Sequence, residues 1–543
     1  MIDPDLHLAK TLVIEPNVML RSVTAGQLRS GGVGAVVTCS GMRQARELLE
    51  RDAFDIVICN LESAESGELS AQDLLNEMRR EQLLPFSTVF IMVTSQLTYA
   101  QALEAAEAAL DGFLVRPFTG AALIERVLEA RRRKRELAGV MTALESDKLE
   151  LAVQRALTRF QERQPFWFHC GRVAAEIFLR LQRPQDAQIL FERLHEARPS
   201  SWARVGMARC EWAAGRVDKA QKVIEALLKD DPTCTDALDL QGRMRVERSD
   251  FTSALESYRA ASLATPGCLL RAQHAGALAF YLGHSDEAAE FLERARSMGV
   301  GTRLFDALSL FLLALVHHDK QDLKSLEMCV KSLASFAARF PQSLRLARFA
   351  AASRAMLLSQ TGEGAAAADA VLKLAQAASD DGFDIEAAQV VVSLWVRVPQ
   401  ARDQADTTAR FAQVVAMRFC TSRAITDFFV IVSLEQPLFA EAFRRALAAI
   451  NSTVGTSVRA AADGQPGPAI MGLLQQSELH RNSRFVDIAA MLVKRYSAGL
   501  GPAHASKLGQ QVAELSRRFS SGATHIAGIQ RGNRSPGALV LKV

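Results

Sequence analysis

Along the first 135 or so residues, short apolar runs alternate with segments of helical spacing. The runs "TLVIEP" (11–16), "GAVVTCS" (34–40), "FDIVICN" (54–60), "STVFIMVTS" (87–95) and "GFLVRPF" (112–118) read as strands. Between and after them, 18–30, 42–51, 71–81, 98–109 and 119–137 carry apolar residues three and four apart and read as helices. Five continuously apolar strands alternating with five helices predict a parallel sheet covered on both faces. Ligand sites in such sheets lie at the carboxyl ends of the strands, and those ends carry Glu15, Asn60, Thr94 and Arg116. The bland alternative is that Glu15, Asn60 and Arg116 are satisfied loop residues of an ordinary doubly wound domain.

Further on, the pattern is helical throughout and repeats. Small residues recur every 34 positions at Ala208, Gly242 and Gly276, and again at Ala220, Ala254 and Ala288; Pro232 and Pro266 share the period. Ala175, Ala187 and Pro199 fit one unit earlier after a one-residue deletion. Small residues let paired helices approach closely, and a proline stops the second helix of each unit. Upstream, 144–163 reads as a lead-in helix that continues the last helix of the first domain through "RRRKR" (131–135), a run read as a solvated face. After residue 300 the repeat decays. Ala355, Gly362, Ala367 and Leu374 suggest one more unit, 383–398 and 411–420 are apolar helices, 462–469 is a turn-rich break, and 469–519 is helical again. The Gly- and Ser-rich end is expected to be disordered. The expected organisation is therefore 8–135 for the sheet domain, 136–166 for a connecting helix, 167–300 for the repeats, 301–519 for degenerate helical repeats and 520–543 for the tail.

Composition narrows the function. A net charge of +4 over 543 residues gives no concentrated basic face, so nucleic acid is not expected as a partner. The eight cysteines show no zinc spacing and sit in apolar patterns, which predicts buried reduced thiols and no metal site. The start is acidic without an apolar core segment, and the longest apolar run, 307–316, is too short to span a bilayer. A cytoplasmic protein that does not enter the membrane is expected. The sequence shows no phosphate loop, metal triad, nucleophile motif or helix-turn-helix, so neither an enzyme nor a transcription regulator is expected, and no cofactor.

The first domain closely resembles the receiver domain of two-component response regulators. Receivers carry an acidic pair after the first strand, where this chain has Glu15 and Pro16. They carry a phosphoacceptor aspartate after the third, here Asn60, and a hydroxyl after the fourth, here Thr94. Lys-Pro follows the fifth, here Arg116-Pro117, and Phe113 matches the switch aromatic. The resemblance implies that phosphorylation would draw the strand-four hydroxyl inward and swing the aromatic. The departures imply that this pocket is degenerate. An amide is not a usable nucleophile, and one remaining acid is a poor cation site. The 168–300 segment resembles tetratricopeptide repeats, with Gly242, Ala254, Tyr258, Ala261 and Pro266 as its fullest unit. Such arrays bind partners on a concave face, where Arg172, Arg180, Trp202, Arg209, Trp212, Arg243, Phe280 and Tyr281 are expected. The combined expectation is an α/β receiver joined to an all-α solenoid. It would act as a phosphorylation-independent adaptor or inhibitor that binds a signalling protein or peptide, with room for a homodimer through the receiver face. The alternatives are a conventionally phosphorylated regulator, or an enzyme or transcription regulator with an unrecognised output site.

Overall fold

The computed structural model describes residues 3–60, 74–75, 78–79, 83–95, 111–300 and 305–519. Its first part is a five-stranded parallel sheet, β1 (Lys10–Ile14), β2 (Ala35–Cys39), β3 (Ile56–Asn60), β4 (Val89–Thr94) and β5 (Gly112–Val115), in the order β2-β1-β3-β4-β5. Strands β3 and β4 are buried at every residue, as a sheet covered on both faces requires. The edge strands β2 and β5 are only partly buried, so the reading of five equally interior strands holds for the centre of the sheet and not for its borders. Helices α1 (Val18–Ser30) and α3 (Gly120–Glu136) bury Leu28, Leu123 and Val127 on one face; α2 (Met42–Arg51) buries Met42, Ala45 and Leu49 on the other. Asn17 and Thr119 cap α1 and α3 by accepting from the Leu20 and Ala122 N–H groups. The helix expected over 98–109 lies outside the described residues. Most of 71–81 does too, although Leu74, Leu75 and Met78 are described and buried in the α2-side core.

The junction differs from expectation. Helix α3 does not run on. It ends at Leu137, α4 (Ala138–Glu145) follows, and Asp147 turns the chain through φ 54° into α5 (Leu149–Gln161). The basic run is only partly a solvated face: Arg132 and Arg135 are exposed, yet four of its five residues are held in ion pairs. Arg131 and Arg135 hold Asp3 at 2.6 and 2.9 Å, and Arg133 and Lys134 hold Asp111 at 2.7 and 3.0 Å. Lys134 also donates to the Phe86 carbonyl at 2.5 Å, while the Phe86 N–H donates to Glu145 of α4 at 2.8 Å. The Phe86 ring packs against the first core of the helical array. Sheet domain and helices are thus pinned together through one loop residue.

Paired helices follow: α6 (Trp167–Arg180) with α7 (Pro184–Ala197), α8 (Ser201–Ala213) with α9 (Val217–Asp230), α10 (Thr235–Glu247) with α11 (Phe251–Ala264), and α12 (Leu269–Tyr281) with α13 (Ser285–Gly299). The period has a steric cause. A side chain at Gly242 would place its Cβ 2.7 Å from the Tyr258 ring, and one at Gly276 would meet Leu292 at 2.8 Å. Inside each pair the chain turns through a left-handed residue, Gln182, Gly215, Ser249 and Gly283. The same turn recurs at Gln321 and Gly362, between α14 (Ala307–Asp319) and α15 (Leu323–Arg339) and between α16 (Leu344–Gln360) and α17 (Gly364–Gln376). The helical-pair architecture therefore continues after 300 with a longer interval.

Then come α18 (Ile385–Trp395), α19 (Pro399–Arg402), α20 (Ala405–Phe419), α21 (Arg423–Val432), α22 (Pro437–Ala462), α23 (Pro466–His480), α24 (Ser483–Arg495), α25 (Ser497–Leu500) and α26 (Pro502–Phe519). One core runs from Val246 to Ala446. Trp395 stacks on Phe411 at 4.8 Å and donates to Thr408 at 3.0 Å. All eight cysteines are buried. No helix among the described residues is long and apolar enough to cross a membrane. The tail at 520–543 lies outside the described residues.

Candidate functional site

The sheet brings Glu15, Asn60, Thr94 and Arg116 together at its carboxyl edge. Asn60 is the last residue of β3, and Glu15 follows β1 with its N–H donated to the Cys39 carbonyl at 3.0 Å. Arg116 follows β5, its N–H donated to the Thr94 carbonyl at 2.8 Å, and the Arg116–Pro117 peptide is cis. Register does the positioning: Ile14 stands beside Cys39 and Cys59, and Asn60 beside Val93.

Glu15 is 2% exposed, and its carboxylate is filled by the protein itself. The Asn60 side-chain amide donates to both oxygens, at 3.1 and 3.0 Å. The Asn17 N–H donates to Oε1 at 3.1 Å, and Arg116 donates to Oε2 at 2.5 Å. Arg21 closes the loop beneath, donating to the Glu15 and Pro16 carbonyls at 2.7 and 3.2 Å. Asn17 and Arg21 were not singled out by sequence; their only signal was spacing, two and six residues beyond Glu15 on the cap and first turns of α1. A guanidinium and a primary amide therefore sit where a divalent cation would need open carboxylate oxygens. Among the described residues no group of three or more histidine, cysteine or acidic side chains is placed to hold a metal. Burial pushes the nearby Cys59 thiol well up and that of Cys39 to about 11, which disfavours the thiolate form. Thr94 is fully buried, and Phe113 is half-buried against the core shared by the sheet and α2.

The expected groove is not one surface. Phe280 and Tyr281 are interior residues: Tyr281 packs on Phe428 at 4.9 Å and bonds Gln389, while Arg397 lies over Phe280. Helices α18 and α21 have covered them. Arg172 stacks over the Trp202 ring at 4.6 Å, and Trp202 in turn meets Phe168 and Phe191 edge-on. Arg209 holds Glu176 through both carboxylate oxygens at 2.9 Å. These five residues stitch helices together and do not offer a free face. Arg180, Trp212 and Arg243 are half-buried, and neither Arg180 nor Arg243 makes an ion pair among the described residues.

The response regulator receiver domain family matches residues 11–128, and a tetratricopeptide repeat family matches 178–244. The chain carries a receiver domain joined to tetratricopeptide repeats. Among curated proteins, the receiver part is 27% identical over 118 residues to the chemotaxis protein CheY-3 of Vibrio cholerae serotype O1, covering 22% of this chain and 88% of that protein. Solved structures similar to it include a response regulator receiver domain protein from Clostridium thermocellum, 24% identical, covering 24% of this chain and 98% of that one, with a TM-score of 0.21. A tetratricopeptide repeat protein from Parabacteroides merdae is 12% identical, covering 52% and 97%, with a TM-score of 0.33. The receiver and repeats together mark a response-regulator-like signalling protein whose repeat class mediates protein–protein interaction.

Proposed function

We propose that this protein is a phosphorylation-independent adaptor: its receiver is held in one state, and its repeats bind a protein partner. The observation that carries this reading is the Glu15 carboxylate, occupied by the Asn60 amide and the Arg116 guanidinium. Phosphoryl transfer to a receiver needs a carboxylate nucleophile and a cation to offset the incoming charge. The nucleophile position is an amide, and the cation position is taken by Arg116. A ligand shifts an equilibrium only through unequal affinity for its two states. With the phosphoryl group removed as a ligand, the state of the receiver is set by whatever it is attached to. That attachment is the Phe86–Lys134–Glu145 junction, which ties β4's leading loop to α3 and α4.

The partner is a signalling protein or a segment of one, engaged near Arg180, Trp212 and Arg243. Neither catalysis nor nucleic-acid binding belongs to this reading, and the site of action is the cytoplasm. The test is a titration of the intact chain and of its Arg243→Glu variant against partners captured from the source cell. Loss of binding with unchanged circular dichroism supports the reading; unchanged binding places the partner elsewhere.

A further inference from the structure

A second charged site lies among the C-terminal helices and has the opposite character. The ends of α18, α20, α21, α24 and α26 enclose a cavity of about 160 Å³. Four arginines line it, Arg418, Arg481, Arg517 and Arg518, against two aspartates, Asp381 and Asp384, leaving an excess of two positive charges. The aspartates are also partly engaged. Asp381 meets Arg518 at 3.1 Å and Arg481 at 3.7 Å, and Asp384 meets a fifth arginine, Arg348, at 3.7 Å.

Arg418 is 8% exposed and makes no ion pair among the described residues. Its Nη1 donates to two backbone carbonyls, Ala378 at 2.7 Å and Asp380 at 2.9 Å. Burial, and then the charge of Arg481, push its pKa down to about 10, against the weaker pull of Asp381, Asp384 and Asp380. Arg481 Nη1 is buried without a hydrogen-bond partner, as is Nε of the adjacent Arg484, whose Nη1 holds the Thr421 carbonyl at 2.8 Å. Arg418 in particular is a buried charge held by carbonyls and by no carboxylate among the described residues, which is costly. The cavity wall also includes the first turns of three helices, at Ile385 of α18, Ile425 of α21 and Ser483 of α24. Helix N-termini contribute positive potential, and here their caps Asp384, Ser422 and Asn482 already accept from the Ala387, Ile425 and Arg484 N–H groups at 2.7, 3.3 and 2.9 Å. The last turn of α26 also reaches the cavity, and there Arg517 and Arg518 supply positive charge.

We propose that this cavity binds a phosphate group, free or as the monoester of a small molecule. A phosphate dianion matches the excess of two charges and supplies several acceptor oxygens to guanidinium forks, whereas a carboxylate supplies one charge and two oxygens. The inference does not depend on the receiver reading. It is tested by calorimetric titration of the intact chain with inorganic phosphate, phosphoserine and acetate at matched ionic strength. Saturable binding of either phosphate species without acetate binding is expected; which of the two binds more tightly identifies the source. Arg481→Gln, in a half-exposed turn, should weaken that binding roughly tenfold or more while circular dichroism stays unchanged, and Arg418→Gln should do the same if it folds. No saturable phosphate binding, equal binding of acetate, or equal affinity in Arg481→Gln overturns the proposal.

Discussion

The receiver and the repeats both bury arginine–carboxylate pairs, and one from each bears comparison. In the receiver it is Arg116 with Glu15, between side chains 14% and 2% exposed. In the repeats it is Arg271 of α12 with Asp239 of α10, where the guanidinium is 1% exposed and contacts both carboxylate oxygens at 2.8 to 3.2 Å, with Thr265 as a further acceptor. One pair sits where a receiver performs chemistry and the other where two helices meet. Their organisation is the same: a carboxylate with its acceptor sites filled, an arginine with no room to leave, and neighbours that supply the remaining hydrogen bonds. In the reading proposed above, the receiver pocket serves as a structural joint and not as a reaction site. The cavity around Arg418 is the contrast, since there the guanidinium charge is left uncompensated.

If the two pairs are alike, breaking either should cost stability on the scale of a buried charge left alone. Asp239→Ala removes the closest counterion of Arg271, leaving it buried beside Asp236 at 3.8 Å and Thr265, and should lower unfolding stability by about 4 kcal/mol, read from the urea midpoint of the intact chain. Arg116→Met strands Glu15, which keeps the Asn60 and Asn17 donors, so the expected loss is smaller, about 3 kcal/mol. A neutral Arg116→Met alongside a damaging Asp239→Ala would separate the two pairs and return the receiver pocket to the status of an open site.

The junction gives a gentler test through pH. His169 on α6 lies near Arg133, Arg172 and Lys134; burial first, then those charges, push its pKa down to about 3 from an ordinary 6.5. The unfolded chain therefore takes up a proton on this histidine that the folded chain refuses. The penalty is absent above pH 6.5 and grows as pH falls from there toward 3, so stability declines across that window. His169→Gln should flatten the part of the acid limb that begins near pH 6.5, leaving the carboxylate-driven loss at lower pH. There Asp111 contributes: burial would raise its pKa, but Lys134, Arg79 and Arg133 outweigh burial and hold it below the usual range. Its stabilisation is full above the ordinary aspartate pKa and is lost as pH falls through the depressed one. An unchanged profile in His169→Gln would remove the histidine from the account of the junction.

What could be seen in the sequence follows from range. Helices α1 and α2 span the residues that their spacing indicated, 18–30 and 42–51, because cap, periodicity and stop signal are local. The 34-residue period was visible because Gly242 and Gly276 answer to Tyr258 and Leu292 in their own units. The pocket residues could be named because each ends a strand. The run Arg131–Arg135 looked solvated because its main partners, Asp3 and Asp111, lie 128 and 22 residues from Arg131 and Arg133. Phe280 and Tyr281 looked like groove residues because what covers them arrives from Gln389, 108 residues on, in helices whose longer interval hides the repeat. The Arg418 cavity left no motif at all, since its arginines come from three separate stretches that only packing unites.

The central claim is that the receiver pocket is closed to phosphoryl transfer by its own side chains. Its most direct test is intact-mass analysis of the full chain after incubation with acetyl phosphate and magnesium, with peptide mapping of any acid-labile product. The account predicts no phosphoryl group on residues 8–135, and none gained by Asn60→Asp alone, because Pro16 still lacks an acid and Arg116 still occupies Glu15. An acid-labile phosphoryl group mapped to the receiver of the unmodified protein would contradict it.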